Sequence, residues 1–239
     1  MPTTPDSRAT VSSGPLGLFG GTFDPVHCGH LRVALAAAQA LALPEVRLIP
    51  SRTPVHRPQP AATAEQRLAM LRLAVADDAT GTLRVDDREL RRHTPSYTVP
   101  TLEALRAEVG AERALVWLLG ADAFGGLMSW HRWPALFDLA HLVVLNRPGS
   151  PAEALRTPAL APVWQGRLND DLGVLRTQPH GALCFLEVAP QDISATAIRN
   201  LIAGGAPDTA LAALLPPAVL AYIRAHHLYR LRQVSLAPQ

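Results

Sequence analysis

Lysine is absent from this chain of 239 residues: all 22 basic residues are arginine. A Walker-type phosphate loop needs a lysine to reach the β- and γ-phosphates, so that way of holding ATP is excluded. Schiff-base catalysis and transfer of a nucleotide carried on lysine are excluded with it. Any handling of a nucleotide falls to arginine, histidine, backbone amides and metal. Cysteine is nearly absent as well. Cys28 and Cys184 are too few for a disulfide framework or a zinc cluster, which leaves a reducing compartment as the default. Charged residues are sparse at 18%, and 22 arginines against 20 acidic residues leave a net +2. That balance gives no electrostatic footprint for a nucleic-acid polymer. No apolar run approaches the ~18 residues of a membrane span. Residues 1–15 are polar and rich in Pro, Ser and Thr, without the apolar centre of a signal peptide. The expectation is a cytoplasmic protein with no membrane partner, monomer and homo-oligomer both being open.

What is present is apolar and regularly alternating. Hydrophobic residues make up 48% of the chain, enough for a sheet buried on both faces. Short apolar runs at 16–19, 46–49, 83–85, 115–119, 142–145 and 183–188 read as buried strands. Helical patterns lie between them at 30–43, 63–76 and 98–109, and after the last strand at 195–203 and 217–229. Thr63 and Gln66 form a capping box, and Pro100 sits in a first turn, where its missing N–H costs little. Strands alternating with helices imply right-handed βαβ units. The fold class is therefore α/β, a doubly wound, mainly parallel six-stranded sheet. One domain spans 16–230, with tails at 1–15 and 231–239. Two stretches break the rhythm, at 50–60 and 147–181, and long irregular connections of this kind tend to be functional loops or surface insertions.

The first strand runs straight into residues 20–30, GGTFDPVHCGH, and then into a helix. In an open α/β sheet, ligands bind beyond the carboxyl ends of the strands, often against a helix N-terminus. Gly20 and Gly21 would let backbone N–H groups approach a phosphate with no Cβ in the way. His27 and His30 are three apart and can share one face of the first helical turn. Two imidazole donors there could hold the charge of phosphoryl transfer. Two histidines at this spacing also suit a metal, but no third ligand lies nearby. A distant string at 193–199, ISATAIR, offers Ser194 as an N-cap and Arg199 about one turn further along.

The strings at 20–30 and 193–199 resemble those of the nucleotidyltransferase superfamily related to class I aminoacyl-tRNA synthetases. More narrowly, the chain resembles the bacterial nicotinate-nucleotide adenylyltransferases. The further matching pieces are 54–57 (PVHR, with Val55 where the family often has proline), 88–98 (RELRRHTPSYT), 120–133 (GADAFGGLMSWHRW), 140–149 (AHLVVLNRPG) and 214–229 (LLPPAVLAYIRAHHLY). The resemblance implies transfer of the adenylyl group of ATP to nicotinate mononucleotide, with Mg²⁺ carried on the ATP. It places Gly20, Gly21, Thr22, Phe23, His27, His30, Ser194, Thr196 and Arg199 at the ATP. His27, His30 and Arg199 are the catalytic candidates, with His30 the main stabiliser of the transition state. Gly120 and Asp122 would meet the adenosine or its ribose, and Asn146 and Arg147 the adenine side. Tyr97, Thr98 and Trp130 would bound the nicotinate, with Trp130 stacking on the pyridine, and His56 and Arg57 would serve the same substrate.

By residue type alone, Tyr97 and Trp130 could equally be core or surface aromatics, and His56 and Arg57 solvated loop residues. Asp86-Asp87 and Asp170-Asp171 read as solvated pairs, and His226 and His227 as helix-end histidines favoured by the dipole. Two other functions stay open at this point. One is another small-molecule adenylyl- or cytidylyltransferase of the superfamily, and the other is a non-catalytic nucleotide sensor on the same fold.

Overall fold

Six strands organise the molecule. In the computed structural model, which describes residues 14–53, 59–146, 152–189 and 192–230, they are β1 Leu16–Gly21, β2 Glu45–Pro50, β3 Leu83–Val85, β4 Leu115–Gly120, β5 His141–Asn146 and β6 Leu183–Glu187. Every pairing is parallel and the order is β3-β2-β1-β4-β5-β6. The sheet expected from the apolar runs is therefore present, and it is parallel throughout.

The strands other than the edge strand β3 send side chains into two cores. On one face, Val46, Leu48, Val116 and Leu118 pack against four helices. These are α1 (Cys28–Ala40), α2 (Ala64–Ala76), with α4 (Ala195–Ala203) and α5 (Pro217–Ala225) beyond the last strand. On the other face, Leu16, Leu18, Leu115 and Trp117 pack against α3 (Thr98–Val109) and the short turns between β4 and β5. Burial of these side chains supplies the driving force, about 1.5–3 kcal/mol for each large aliphatic residue. Among the described residues no helix is long and apolar enough to cross a membrane.

Helix starts follow the sequence signals except in α1, which opens at Cys28 rather than at 30, and two helix ends differ. Thr63 and Gln66 cap α2 reciprocally, as their spacing indicates. α1 stops at Ala40 rather than at 43, and α5 at Ala225 rather than at 229. Both close in Schellman turns whose left-handed residue is not glycine. Ala42 (φ +50°) is flanked by Leu43 N–H donating to the Ala38 carbonyl at 2.8 Å. His227 (φ +52°) is flanked by Leu228 N–H donating to the Ile223 carbonyl at 3.0 Å.

The segment after β5 also departs from expectation. Its described part is neither an extended loop nor a surface insertion. Leu160 and Val163 enter one core, Val174 and Leu175 the other, and Leu168 bridges to Leu183 of β6. Asp86 is buried rather than solvated. It pairs with Arg88 at 2.7 Å and lies 3.5 Å from Arg47, two guanidinium groups that both also pair with Glu108 near the end of α3. Asp87 pairs with Arg91 at 2.6 Å and with Arg72 at 3.2 Å, and Asp170 lies 3.7 Å from Arg156.

The carboxyl end of β1 is packed without slack. A Cβ on Gly20 would lie 2.8 Å from the Trp117 ring, and one on Gly21 would lie 2.9 Å from the Phe23 ring. Gly20→Ala is therefore expected to lower the unfolding free energy by about 1–3 kcal/mol, the usual cost of overpacking, measured as a lower urea midpoint at unchanged slope.

Candidate active site

β1 and β4 are neighbours in the sheet, and the chain leaves them in opposite directions, to β2 and to β5. A crevice at the carboxyl ends follows from that reversal. The turn from β1 into α1 lines it. Phe23 is buried at φ +50°, with its ring edge-on to His30 at 5.1 Å, and the Asp24–Pro25 peptide is cis.

His27 is the N-cap of α1 and His30 its third residue. His27 Nδ1 accepts from His30 N–H at 3.3 Å, and His30 Nδ1 accepts from His27 N–H at 3.3 Å. This is a capping box in which imidazoles replace the usual hydroxyl and carboxamide. The rings stack at 3.6 Å with 25° between planes. An Nδ1 that accepts carries no proton, so each neutral ring holds its hydrogen on Nε2. The box thus leaves two Nε2–H donors at the helix N-terminus, and no acidic residue stands in the first turn. Burial lowers the His27 pKa from 6.5 to about 4. Burial, with His27 as a further cause, pushes His30 well below its ordinary value.

The second string reaches the same place. Ser194 Oγ caps α4 by accepting from Ala197 N–H at 3.1 Å. Arg199 Nη1 donates to the Asp24 carbonyl at 2.7 Å, and its Nη2 to Thr196 Oγ1 at 3.1 Å. Segments 175 residues apart in the chain therefore share one wall.

The remaining candidates lie along the strand ends. Gly120 closes β4 and caps the turn Ala121–Gly125, where Asp122 is exposed in the first turn. Asn146 is buried at the end of β5. Tyr97 is the N-cap of α3 and Thr98 its first residue. Trp130 is partly buried against the second core. Because α1 and α3 cover opposite faces of the sheet, the histidine pair and the Tyr97–Trp130 group flank the strand ends from two sides. His56, Arg57 and Arg147 lie outside the described residues. Among the described residues, no three His, Cys, Asp or Glu side chains converge as a metal-binding group.

Four further residues shape this region without having been candidates on sequence grounds, three of them (Asp24, His131 and Tyr229) inside the matching strings. His131 stacks on Tyr97 at 4.5 Å and 28°. Arg67 is fully buried in α2, donating to the carbonyls of Thr22 at 2.7 Å and Arg52 at 3.2 Å. It shares the buried stripe of Met70, Leu71 and Ala74, and an arginine on an apolar stripe was the available clue. Asp24 and Tyr229, 2.8 Å apart through the hydroxyl, are joined only by the tertiary fold. The twin glycines also have a packing reason, independent of any phosphate.

A doubly wound sheet with a donor-bearing helix N-terminus and an arginine beside it, at the reversal of strand order, has the architecture of a nucleotide-handling α/β protein. Residues 18–201 match the cytidylyltransferase-like family, and the chain belongs to it, on the branch of the nicotinate-nucleotide adenylyltransferases. The chain is 48% identical over 219 residues to a probable nicotinate-nucleotide adenylyltransferase of Dechloromonas aromatica, covering 91% of this chain and 99% of that protein. A relative of the same name from Laribacter hongkongensis is 51% identical over 215 residues, covering 90% and 94%. Among solved structures, a nicotinic acid mononucleotide adenylyltransferase of Plasmodium falciparum, complexed with NaAD, shares the fold. Its TM-score is 0.66 at 16% identity, covering 90% of this chain and 97% of that one.

The histidine pair makes stability depend on pH with a definite sign. The unfolded chain protonates His27 near 6.5, the folded chain only near 4. Between those values the unfolded state holds more protons, so stability is lost as the pH falls through the window. The slope expected is up to about 1.4 kcal/mol per pH unit for each histidine. In His27→Asn, whose Oδ1 can keep the cap, urea midpoints should fall less steeply from pH 6.5 to 4.

Proposed function

We propose that the protein transfers the adenylyl group of ATP to nicotinate mononucleotide, forming nicotinate adenine dinucleotide and pyrophosphate, as a cytoplasmic step of NAD biosynthesis. The observation that carries this reading is the reciprocal histidine cap at the N-terminus of α1, with Arg199 bonded to the Asp24 carbonyl beside it. The names of the relatives supply the acceptor.

The chemistry needs no covalent intermediate. A 5′-phosphate oxygen of the mononucleotide attacks the α-phosphorus of ATP in line, and the bond from that phosphorus to the bridging oxygen of pyrophosphate breaks. Charge on the α-phosphate oxygens meets the Nε2–H donors of His27 and His30, which are neutral near pH 7 and so act as hydrogen-bond donors. Arg199 brings a permanent positive charge and five N–H donors, more than its two hydrogen bonds to Asp24 and Thr196 use. Gly20, Gly21, Thr22, Phe23, Ser194 and Thr196 line the triphosphate, and Gly120, Asp122, Asn146 and Arg147 the adenosine. Tyr97, Thr98 and Trp130 bound the pyridine, with His56 and Arg57 on the same substrate. A donor set of histidine and arginine fits Mg²⁺ carried by the substrate phosphates, with water completing its shell. When bound in this way, the ion neutralises charge on the leaving pyrophosphate.

His30→Ala should lower kcat by roughly 10²–10³-fold with the fold intact, as expected for one charge-stabilising donor. Near-normal turnover by a folded variant would remove His30 from this role.

The experiment that tests the whole reading compares two acceptors. The nicotinate carboxylate only accepts hydrogen bonds, whereas nicotinamide brings N–H donors. Thr98 and nearby backbone N–H groups would satisfy the acid and face the amide donor against donor. The expected preference for nicotinate mononucleotide is at least roughly 10²-fold in kcat/KM. It is measured as pyrophosphate release with ATP saturating; equal rates on the two acceptors would refute the reading.

A further inference from the structure

The site has a support that reaches it from the far end of the chain. The Asp24 carboxylate is buried and receives hydrogen-bond donors from two other segments. Oδ1 accepts from the Tyr229 hydroxyl at 2.8 Å and from Ala62 N–H at 3.1 Å, and Oδ2 accepts from Ala61 N–H at 2.7 Å. Arg199 Nη1 stands 3.9 Å from Oδ2 while donating to the carbonyl of the same residue. Arg67 closes the arrangement from below, through the carbonyls of Thr22 and Arg52.

Tyr229 does not arrive there by continuing a helix. α5 ends in the Schellman turn at His227, and the backbone is left-handed again at Tyr229, with φ +63°. Two non-glycine residues of three in this conformation form a strained hook, and such strain persists only where surrounding contacts hold it. The contact at its tip is the bond to Asp24. Burial and the facing carboxylate push the Tyr229 hydroxyl far above its ordinary value, so it remains a donor at every working pH.

We propose that Tyr229 is a positioning residue for the transfer reaction: through Asp24 it fixes the Arg199 guanidinium against the β1–α1 turn and holds residues 61–62 to the same wall. Removing the hydroxyl leaves Oδ1 of a buried carboxylate with one donor fewer. The carboxylate can then turn toward Arg199, drawing the guanidinium from its place. The tyrosine acts on ATP through the arginine and touches no substrate itself.

The proposal rests on the site being the ATP site, and the test separates the two. Wild type, Tyr229→Phe, Asp24→Asn and the double variant are compared well below their melting temperatures. A non-hydrolysable ATP analogue is titrated by calorimetry, and kcat/KM is read from pyrophosphate release. Tyr229→Phe is expected to bind the analogue on the order of tenfold more weakly, with a matching loss in kcat/KM, the scale of a hydrogen bond to a charged group. Adding Tyr229→Phe to Asp24→Asn should then cost little more, because the tyrosine works through that carboxylate. If Tyr229→Phe lowers only the melting temperature and leaves analogue binding and kcat/KM unchanged, the hook is structural and the proposal fails. Full additivity with Asp24→Asn overturns it too, since the tyrosine would then act elsewhere. Should Asp24→Asn not fold, the binding and kinetic comparison of Tyr229→Phe with wild type decides alone. A wild-type protein that binds no ATP analogue overturns both this proposal and the reading beneath it.

Discussion

Everything at the site hangs from β1, the strand hydrogen-bonded by β2 on one edge and by β4 on the other. A strand paired on both edges and buried on both faces cannot shift its register without unmaking two ladders and two cores. Its carboxyl end is fixed further by Trp117 over Gly20 and Phe23 over Gly21. The turn that follows therefore leaves the sheet in one direction only. His27 and His30 start α1 at the end of that turn, Asp24 lies within it, and Arg199 bonds to its backbone. The crevice is a consequence of strand order, and the chemistry facing it is a consequence of a rigid strand end.

The sequence made some of this legible, for reasons that can be named. Parallel strands buried on both faces read as apolar runs, which made the central strands plain, and the edge strand β3 showed through Leu83 and Val85 although Arg84 between them is exposed. The end of α4 was visible because Gly204 and Gly205 stand there, with Gly205 at φ +78°. The ends of α1 and α5 use the same turn, but Ala42 and His227 take the left-handed position, and neither residue type announces it. The string at 20–30 was legible because its parts are contiguous. Its supports were not, since Asp24 meets Tyr229 across 205 positions and Arg67 meets Thr22 across 45. Asp86 looked solvated although Arg88 stands two residues on, because the second guanidinium that encloses it, Arg47, comes from β2.

A chain without lysine also builds differently inside. Arg106 donates to the carbonyls of Leu139, Gly110, Ala111, Arg113 and Pro179, tying the end of α3 to two loops. Arg67 does the same beneath the β1–α1 turn. An ammonium group has three donors about one point, whereas the guanidinium spreads five in a plane and is weakly hydrated, which suits it to bridging separated backbone groups in a dry setting. The same property serves Arg199, which holds backbone and side chain on one side and keeps donors for an anion.

The histidine cap has a consequence for the free protein. Helices are usually steadied at their starts by Asp or Glu, yet α1 and α4 both begin without one. A carboxylate in either place would be an internal counter-ion, competing with a phosphate for the same seat. Leaving the positive ends of two dipoles unmatched gives up stabilisation that a polyphosphate at the proposed site would restore. By mass action, a ligand at 100 times its Kd adds about 2.7 kcal/mol to a folded state that alone binds it. With nucleotide bound as proposed, its supply would set how firmly this fold is held together, as well as how fast it turns over.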